Sequence, residues 1–194
     1  MKLIKFIPYL LILGFLTQLY GCAAVAVGGA AAAGGAAVID RRTTGTIVED
    51  QTIEVKAIKA INADPELNEQ AHINVISYNT VVLLSGETPT DALRQKALNI
   101  VKGVDKVTHV YNELSIAAPS SLTARGSDSI ITTKVKTKLF ANKDVTGIEI
   151  KVVTEKGVVY LMGIVSRAEA EVATEIARQT GGVQKVVKLF QYTD

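Results

Sequence analysis

The chain has 194 residues, with 21 Lys and Arg against 19 Asp and Glu, and aromatic residues make up only 5% with no Trp. That length holds one ordinary domain or two small ones, and so few aromatics argue against a stacking platform for single-stranded nucleic acid. One cysteine and two histidines exclude an intramolecular disulfide and a Cys-rich metal site, and leave little material for acid/base chemistry.

In chain order, residues 1–21 read as a targeting segment. Lys2 and Lys5 form a basic start, and an apolar run from Phe6 to Leu16 follows, broken only by Pro8 and Gly14. The run is short for a transmembrane helix, which needs about 20 apolar residues. It ends in Leu19-Tyr20-Gly21-Cys22, which resembles the lipobox of bacterial lipoproteins. The resemblance implies cleavage before Cys22 and acylation of its thiol. Each buried methylene contributes about 0.8 kcal/mol, so two or three acyl chains anchor stably. Ala23, not Asp, follows the cysteine; by the sorting rule for such proteins this favours the outer membrane. Removing Lys2 and Lys5 lowers the formal net charge from +2 to zero, so no nucleic-acid partner is expected.

Residues 22–48 read as the lipidated N-terminus and a tether. Nearly every residue from Ala23 to Val38 is Ala, Gly or Val, and the glycine pairs Gly28-Gly29 and Gly34-Gly35 recur at six rather than four. A GxxxG helix-packing face is therefore absent, which favours a flexible tether over a membrane-inserted helix.

An internal repeat follows. Val81-Val82-Leu83-Leu84-Ser85-Gly86 and Gly103-Val104-Asp105-Lys106-Val107 return as Val158-Val159-Tyr160-Leu161-Met162-Gly163 and Gly182-Val183-Gln184-Lys185-Val186. The offsets, 77 and 79 residues, predict two homologous domains, 49–117 and 127–194, joined by a linker at 118–126. The first predicts a helix over Ile53–Asn62, strands over Ile73–Ser77 and Val81–Leu84, a helix over Asp91–Lys102 and a strand over Val107–Ile116. In the second, Asp128 or Ser129 is expected to cap a helix carrying Ile131, Val135 and Leu139 at i, i+4, i+8. Strands over Ile148–Thr154 and Val158–Met162 flank a Glu155-Lys156-Gly157 turn. A helix over Arg167–Thr180, with Val172, Ala173 and Ile176 inward, precedes a strand over Val183–Phe190. The fold class is α+β: two tandem α-β-β-α-β domains, each a mixed three-stranded sheet packed on two helices. Neither copy has a large core, so the two are expected to pack together.

Two such repeats behind a lipobox resemble the dual BON-domain lipoproteins of bacterial outer membranes. The carriers are Asp40-Arg41-Arg42-Thr43-Thr44-Gly45-Thr46, the strands running into Gly86 and Gly163, the Gly-Val-x-Lys-Val segments, and Ile130-Ile131-Thr132-Thr133-Lys134-Val135 with Glu169-Ala170-Glu171 downstream. The resemblance implies a non-enzymatic lipoprotein on the periplasmic face of the outer membrane that supports envelope integrity. It further implies that the first helix of the second domain engages anionic phospholipid, concentrating the protein at division sites. The β-barrel assembly machinery is an implied partner, no small-molecule substrate is expected, and an adaptor role is the alternative. The candidate phospholipid-binding residues are Ile130, Lys134, Val135, Lys138, Leu139 and Phe140.

The residues themselves leave that helix two readings. Ile130 and Phe140 fall outside the Ile131–Val135–Leu139 stripe and alternate with Lys134, Lys136 and Lys138, the composition of an interfacial helix. Alternatively they close the core against the sheet or the other domain, and the lysines are a solvated face. Charge separates the copies: residues 50–116 hold six Lys and Arg against nine Asp and Glu, residues 127–194 ten against eight. Gly86 and Gly163 are expected to be structural, each ending a strand where a positive φ or a close helix approach is needed. No catalytic constellation, metal site or cofactor is expected: His72 and His109 lack partners fixed by the repeat, and GxSxG, HExxH and Walker patterns are absent.

Overall fold

Thr43 starts the first helix, α1 (Thr44–Asn62), by accepting the Thr46 amide on its Oγ1 at 3.1 Å. The helix thus begins well ahead of the expected Ile53. A short helix that the periodicity missed, α2 (Pro65–Gln70), follows at once. Asp64 caps it, and Pro65 supplies the fixed φ of a first helical position. Strands β1 (His72–Tyr78) and β2 (Val81–Thr88), helix α3 (Asp91–Lys102) and strand β3 (His109–Ile116) complete the first repeat. The second repeat comprises α4 (Leu122–Ala141), a 3₁₀ turn at Gly147–Glu149, β4 (Ile150–Glu155), β5 (Val158–Val165), α5 (Arg167–Arg178) and β6 (Lys185–Tyr192). The computed structural model describes residues 40–194; the targeting segment, Cys22 and the tether lie outside the described residues.

Each sheet is mixed, as expected. β1 runs antiparallel to β2 and β3 parallel to it, with Val82 opposite Val110; β4, β5 and β6 repeat the pattern, with Val159 opposite Val186. One face of each sheet buries its helices. Ile53, Ala57 and Ile61 of α1 meet Val75, Val82 and Leu84; Ile131, Val135 and Leu139 of α4 meet Val152, Val159 and Leu161. Each such fully buried aliphatic side chain contributes about 1.5–3 kcal/mol. The other faces meet each other: Tyr78 and Leu83 of the first repeat pack with Tyr160, Met162 and Leu189 of the second in a shared core. Two small domains thereby gain a common apolar layer that neither could bury alone. Burial pushes the Tyr160 phenol up to about 12.

Several boundaries differ from expectation. Ser121, not Asp128 or Ser129, caps α4, so residues 122–126 are helical rather than linker. The Asp128 carboxylate is committed elsewhere: it accepts the Lys156 and Gly157 amides at 2.8 and 2.9 Å, holding the second hairpin's turn. Asp50 does the same in the first repeat, accepting the Asn79 and Thr80 amides at 2.8 Å each. Both turns need this support, because Asn79, Thr80 and Lys156 all adopt positive φ. The 3₁₀ turn delays β4 to Ile150, while β5 runs on to Val165. β3 starts at His109 rather than Val107 and β6 at Lys185 rather than Val183. On α5, which ends at Arg178 rather than Thr180, the buried positions are Ala170, Ala173 and Ala177; Val172 and Ile176 are only partly buried. Small residues at the centre let the helix approach the sheet closely.

Candidate functional site

On a helix turning about 100° per residue, the side of α4 opposite its core stripe carries Ile130, Thr133, Thr137 and Phe140. Ile130 is 58% and Phe140 60% exposed. Lys134 and Lys138 line one flank and Lys136 the other, and all three are exposed. Among the described residues none of them, nor Lys143 beyond the helix end, forms an ion pair; the paired lysines of this repeat are Lys151 and Lys156. Lys138 donates to the Gln179 carbonyl at 3.3 Å, tying its stem across to the end of α5.

Thr133 and Thr137 were not singled out by sequence, yet they shape this face. Their hydroxyls donate back to the Ser129 and Thr133 carbonyls at 2.9 Å each. The hydroxyls are thus satisfied within the helix, and the strip between Ile130 and Phe140 is less polar than its letters suggest. The signal was available: Ser129, Thr133 and Thr137 recur at i, i+4, i+8, the spacing of this back-bonding, and Ser129 likewise donates to the Arg125 carbonyl at 3.1 Å.

Val135 and Leu139 require a correction. Both are fully buried, since they are the residues that press α4 onto its sheet, and they offer no surface to a ligand. Of the six residues grouped by sequence, the structure brings Ile130, Lys134, Lys138 and Phe140 to the surface.

The two glycines sit inside strands rather than at their ends, which corrects the expected placement. Gly86 pairs with Ile73 and Gly163 with Ile150, and each strand continues two residues further. The close approach comes from backbone across the pair, at the first residue of β1 for Gly86 and in the turn just before β4 for Gly163. A Cβ on Gly86, whose φ is +115°, would lie 2.1 Å from the His72 carbonyl oxygen; one on Gly163 would lie 2.8 Å from that of Glu149.

Charged groups collect at opposite ends of the seam between the sheets. At one end Arg41 donates twice to Glu169 at 2.9 Å, donates to the Ile164 carbonyl and meets Glu149 at 3.0 Å. Arg42 stacks 4.0 Å from the Tyr78 ring centroid and pairs with Asp40 and Asp50. The Arg41 guanidinium and the Ser166 cap hold the Glu169 carboxyl down to about 2, whereas burial, then Glu169 and Asp40, push Glu149 up against the pull of Arg41. At the other end lie His72, Glu87, Glu155 and Lys156. Burial alone would raise Glu87, but the Lys156 ammonium, the Ser120 amide and His72 together hold it below the usual range; burial and the Glu87 charge push Glu155 up. His72, Glu87 and Glu155 form the one group of metal-ligating side chains found among the described residues. His109 is exposed and packs edge-on to Tyr111, 4.5 Å between centroids.

Among the described residues no helix is long and apolar enough to cross a membrane. The family model of the BON domain matches residues 49–118 and 127–194. The outer membrane lipoprotein DolP of Haemophilus influenzae is 39% identical over 184 residues, 95% of each chain. The 21 kDa hemolysin of Actinobacillus pleuropneumoniae is 41% identical over 154 residues, 79% of each chain. The osmotically-inducible protein Y of Escherichia coli K12 is 34% identical over 145 residues, covering 73% of this chain and 72% of its own. None of the three is named as an enzyme. With two matched domains and one such relative spanning nearly its whole length, the chain belongs to the BON-domain family as an outer-membrane lipoprotein.

Proposed function

We propose that this lipoprotein is anchored through acylated Cys22 and binds anionic phospholipid with the outward face of α4, without catalysing a reaction. The observation that carries the proposal is the exposed pair Ile130 and Phe140 set among Lys134, Lys136 and Lys138, none of them neutralised by a carboxylate among the described residues. Large apolar tips insert below the headgroups, and each lysine near an anionic leaflet contributes about 1 kcal/mol. A second domain enriched at anionic membrane in this way would serve envelope integrity and localisation to division sites, as the family resemblance implies.

The test uses residues 40–194, which form one compact unit and lack the anchor. Co-sedimentation with vesicles should rise with anionic lipid content and fall with salt. Phe140→Glu should abolish most of it while the melting temperature stays near wild type, because the ring is already in water. Equal binding to neutral and anionic vesicles, or a Phe140→Glu chain that sediments normally, would sink the lipid reading.

One observation favours an adaptor role beside it. The outward side of α1 exposes Val48, Val55 and Ile58, at 58%, 66% and 42%, on a repeat with net negative charge. Such a face suits a protein partner, of which the β-barrel assembly machinery is the candidate. Cross-linking from Val48 in cells would test it: adducts that disappear with Val55→Glu support the adaptor role.

A further inference from the structure

Strand pairing sets His72 directly opposite Glu87, and the tip of the β4–β5 hairpin brings Glu155 and Lys156 of the second domain to that pair. One donor atom from each of His72, Glu87 and Glu155 lies within 4.8 Å of the other two. We propose that these three residues bind a divalent transition-metal ion of the zinc class at the seam between the two domains, and that the ion staples the domains together.

The donor set is one imidazole nitrogen and two carboxylate oxygens, which suits zinc better than magnesium or calcium, ions that favour oxygen alone. Tetrahedral bonds of about 2.0–2.2 Å place donors about 3.3–3.5 Å apart. His72 Nδ1 and Glu87 Oε2 already stand at 3.2 Å, so the remaining closure is within the reach of side-chain rotation. The carboxylates are also held from outside. The Ser120 amide donates to Glu87 Oε2 at 3.2 Å and the Asn74 amide to Glu155 Oε2 at 3.0 Å, the kind of support that orients metal ligands.

Two further features point to a cation. Glu87 is fully buried, and its Oε1 is met only by the Lys156 ammonium at 3.0 Å among the described residues. Glu155, 8% exposed, has the Asn74 amide but no ion pair among the described residues, so two largely buried carboxylates face one ammonium and one imidazole. Burying a carboxylate without full compensation is costly, and a divalent ion removes that cost. Lys156 is the competitor. Its side chain is 41% exposed on the hairpin turn, so it can swing into solvent as the ion enters. His72 and Glu155 line a groove of about 560 Å³ that gives access. Arg125 and Lys151 in that groove are committed to Ser120 and Glu54, and Asp128 to the turn amides.

The test is titration of the purified full chain, stripped with EDTA, with zinc chloride, followed by calorimetry and thermal melting. One ion per chain and a melting temperature that rises with zinc but not with magnesium are expected. His72→Gln and Glu155→Gln should each weaken binding at least about tenfold. Lys156→Gln should tighten it, and His109→Gln should leave it unchanged. Cobalt in place of zinc should give the visible absorption of a four-coordinate site, a readout that needs no variant. Affinity weaker than about 100 μM, cobalt that stays six-coordinate, binding that survives Glu155→Gln, or binding lost with His109→Gln rather than His72→Gln would each overturn the proposal.

Discussion

The helices α1 and α4 occupy the same place in the two repeats and do the same work inward. Ile53, Ala57 and Ile61 on one, and Ile131, Val135 and Leu139 on the other, press onto a sheet. Asp50 and Asp128 each hold the amides of a hairpin turn. Outward they diverge. On α1, Glu54 is paired with Lys151 and Lys56 with Asp105, which leaves Lys59 as the one lysine of this helix without an ion pair beside the exposed Val48, Val55 and Ile58, among the described residues. On α4 the exposed Ile130 and Phe140 stand among lysines without carboxylate partners. Packing dictates the inward stripe, because a wrong residue there costs the fold. The outward face is freer to vary, and it does so on repeats whose totals differ in sign, six basic against nine acidic residues in the first and ten against eight in the second.

The hardest blow to this comparison is a charge in the shared inward stripe. Val135→Glu and Ile53→Glu should each cost about 4 kcal/mol or more, by burying an unpaired carboxylate. Urea unfolding followed by circular dichroism should show the two to be similarly damaging; a well-folded Val135→Glu chain would reopen the assignment of α4's inner face. Next come the glycines. Gly86→Ala combines a positive φ with a collision against the His72 carbonyl and should cost about 2–4 kcal/mol. Gly163→Ala, which meets only the collision, should cost less. Equal losses in urea melts would show that the left-handed backbone at Gly86 adds nothing.

The outward faces are separated by charge reversal. Lys134→Glu with Lys138→Glu should reduce binding to anionic vesicles at least about tenfold, while Lys56→Glu with Lys59→Glu on α1 leaves it near wild type. Equal effects would mean that net charge, not the α4 face, drives association. The smallest effect concerns the link between the repeats. Glu169 sits at about 2 against an ordinary 4.5, so the stability it draws from Arg41 is complete above about pH 4.5 and is lost as pH falls toward 2. Arg41→Ala should therefore lower the melting temperature by a constant amount between pH 7 and 5, and the gap should narrow in more acid buffer. A gap that stays constant to pH 2.5 would show that Arg41 acts through packing.

Much of the architecture was legible from local pattern. The 77- and 79-residue offsets, the i, i+4, i+8 stripe of α4 and the alternating runs around Gly157 identify two copies of one mixed-sheet unit, because helix and strand periods are imposed by backbone geometry alone. The angle of Ile130 and Phe140 to that stripe left them either exposed or closing the core, and the folded protein exposes them at 58% and 60%. What α4 does before Asp128 was hidden, since an aspartate near a helix start reads as a cap, and only the folded hairpin reveals that Asp128 serves a turn 28 residues away. Val135 and Leu139 could be assigned to lipid or core only once the sheet beneath them was in place.

The sequence by itself determined the repeat, the order of its principal helices and strands, and the charge difference between the copies, because these are carried by composition and by periods within a turn or a strand. Tertiary structure alone decided that the free faces of the two sheets meet through Tyr78, Tyr160 and Met162, that Arg41 reaches Glu149 and Glu169, and that His72, Glu87 and Glu155 converge. Those contacts join residues 68 or more positions apart, apart from His72 with its strand neighbour Glu87. They depend on how two finished domains dock, which no local period encodes.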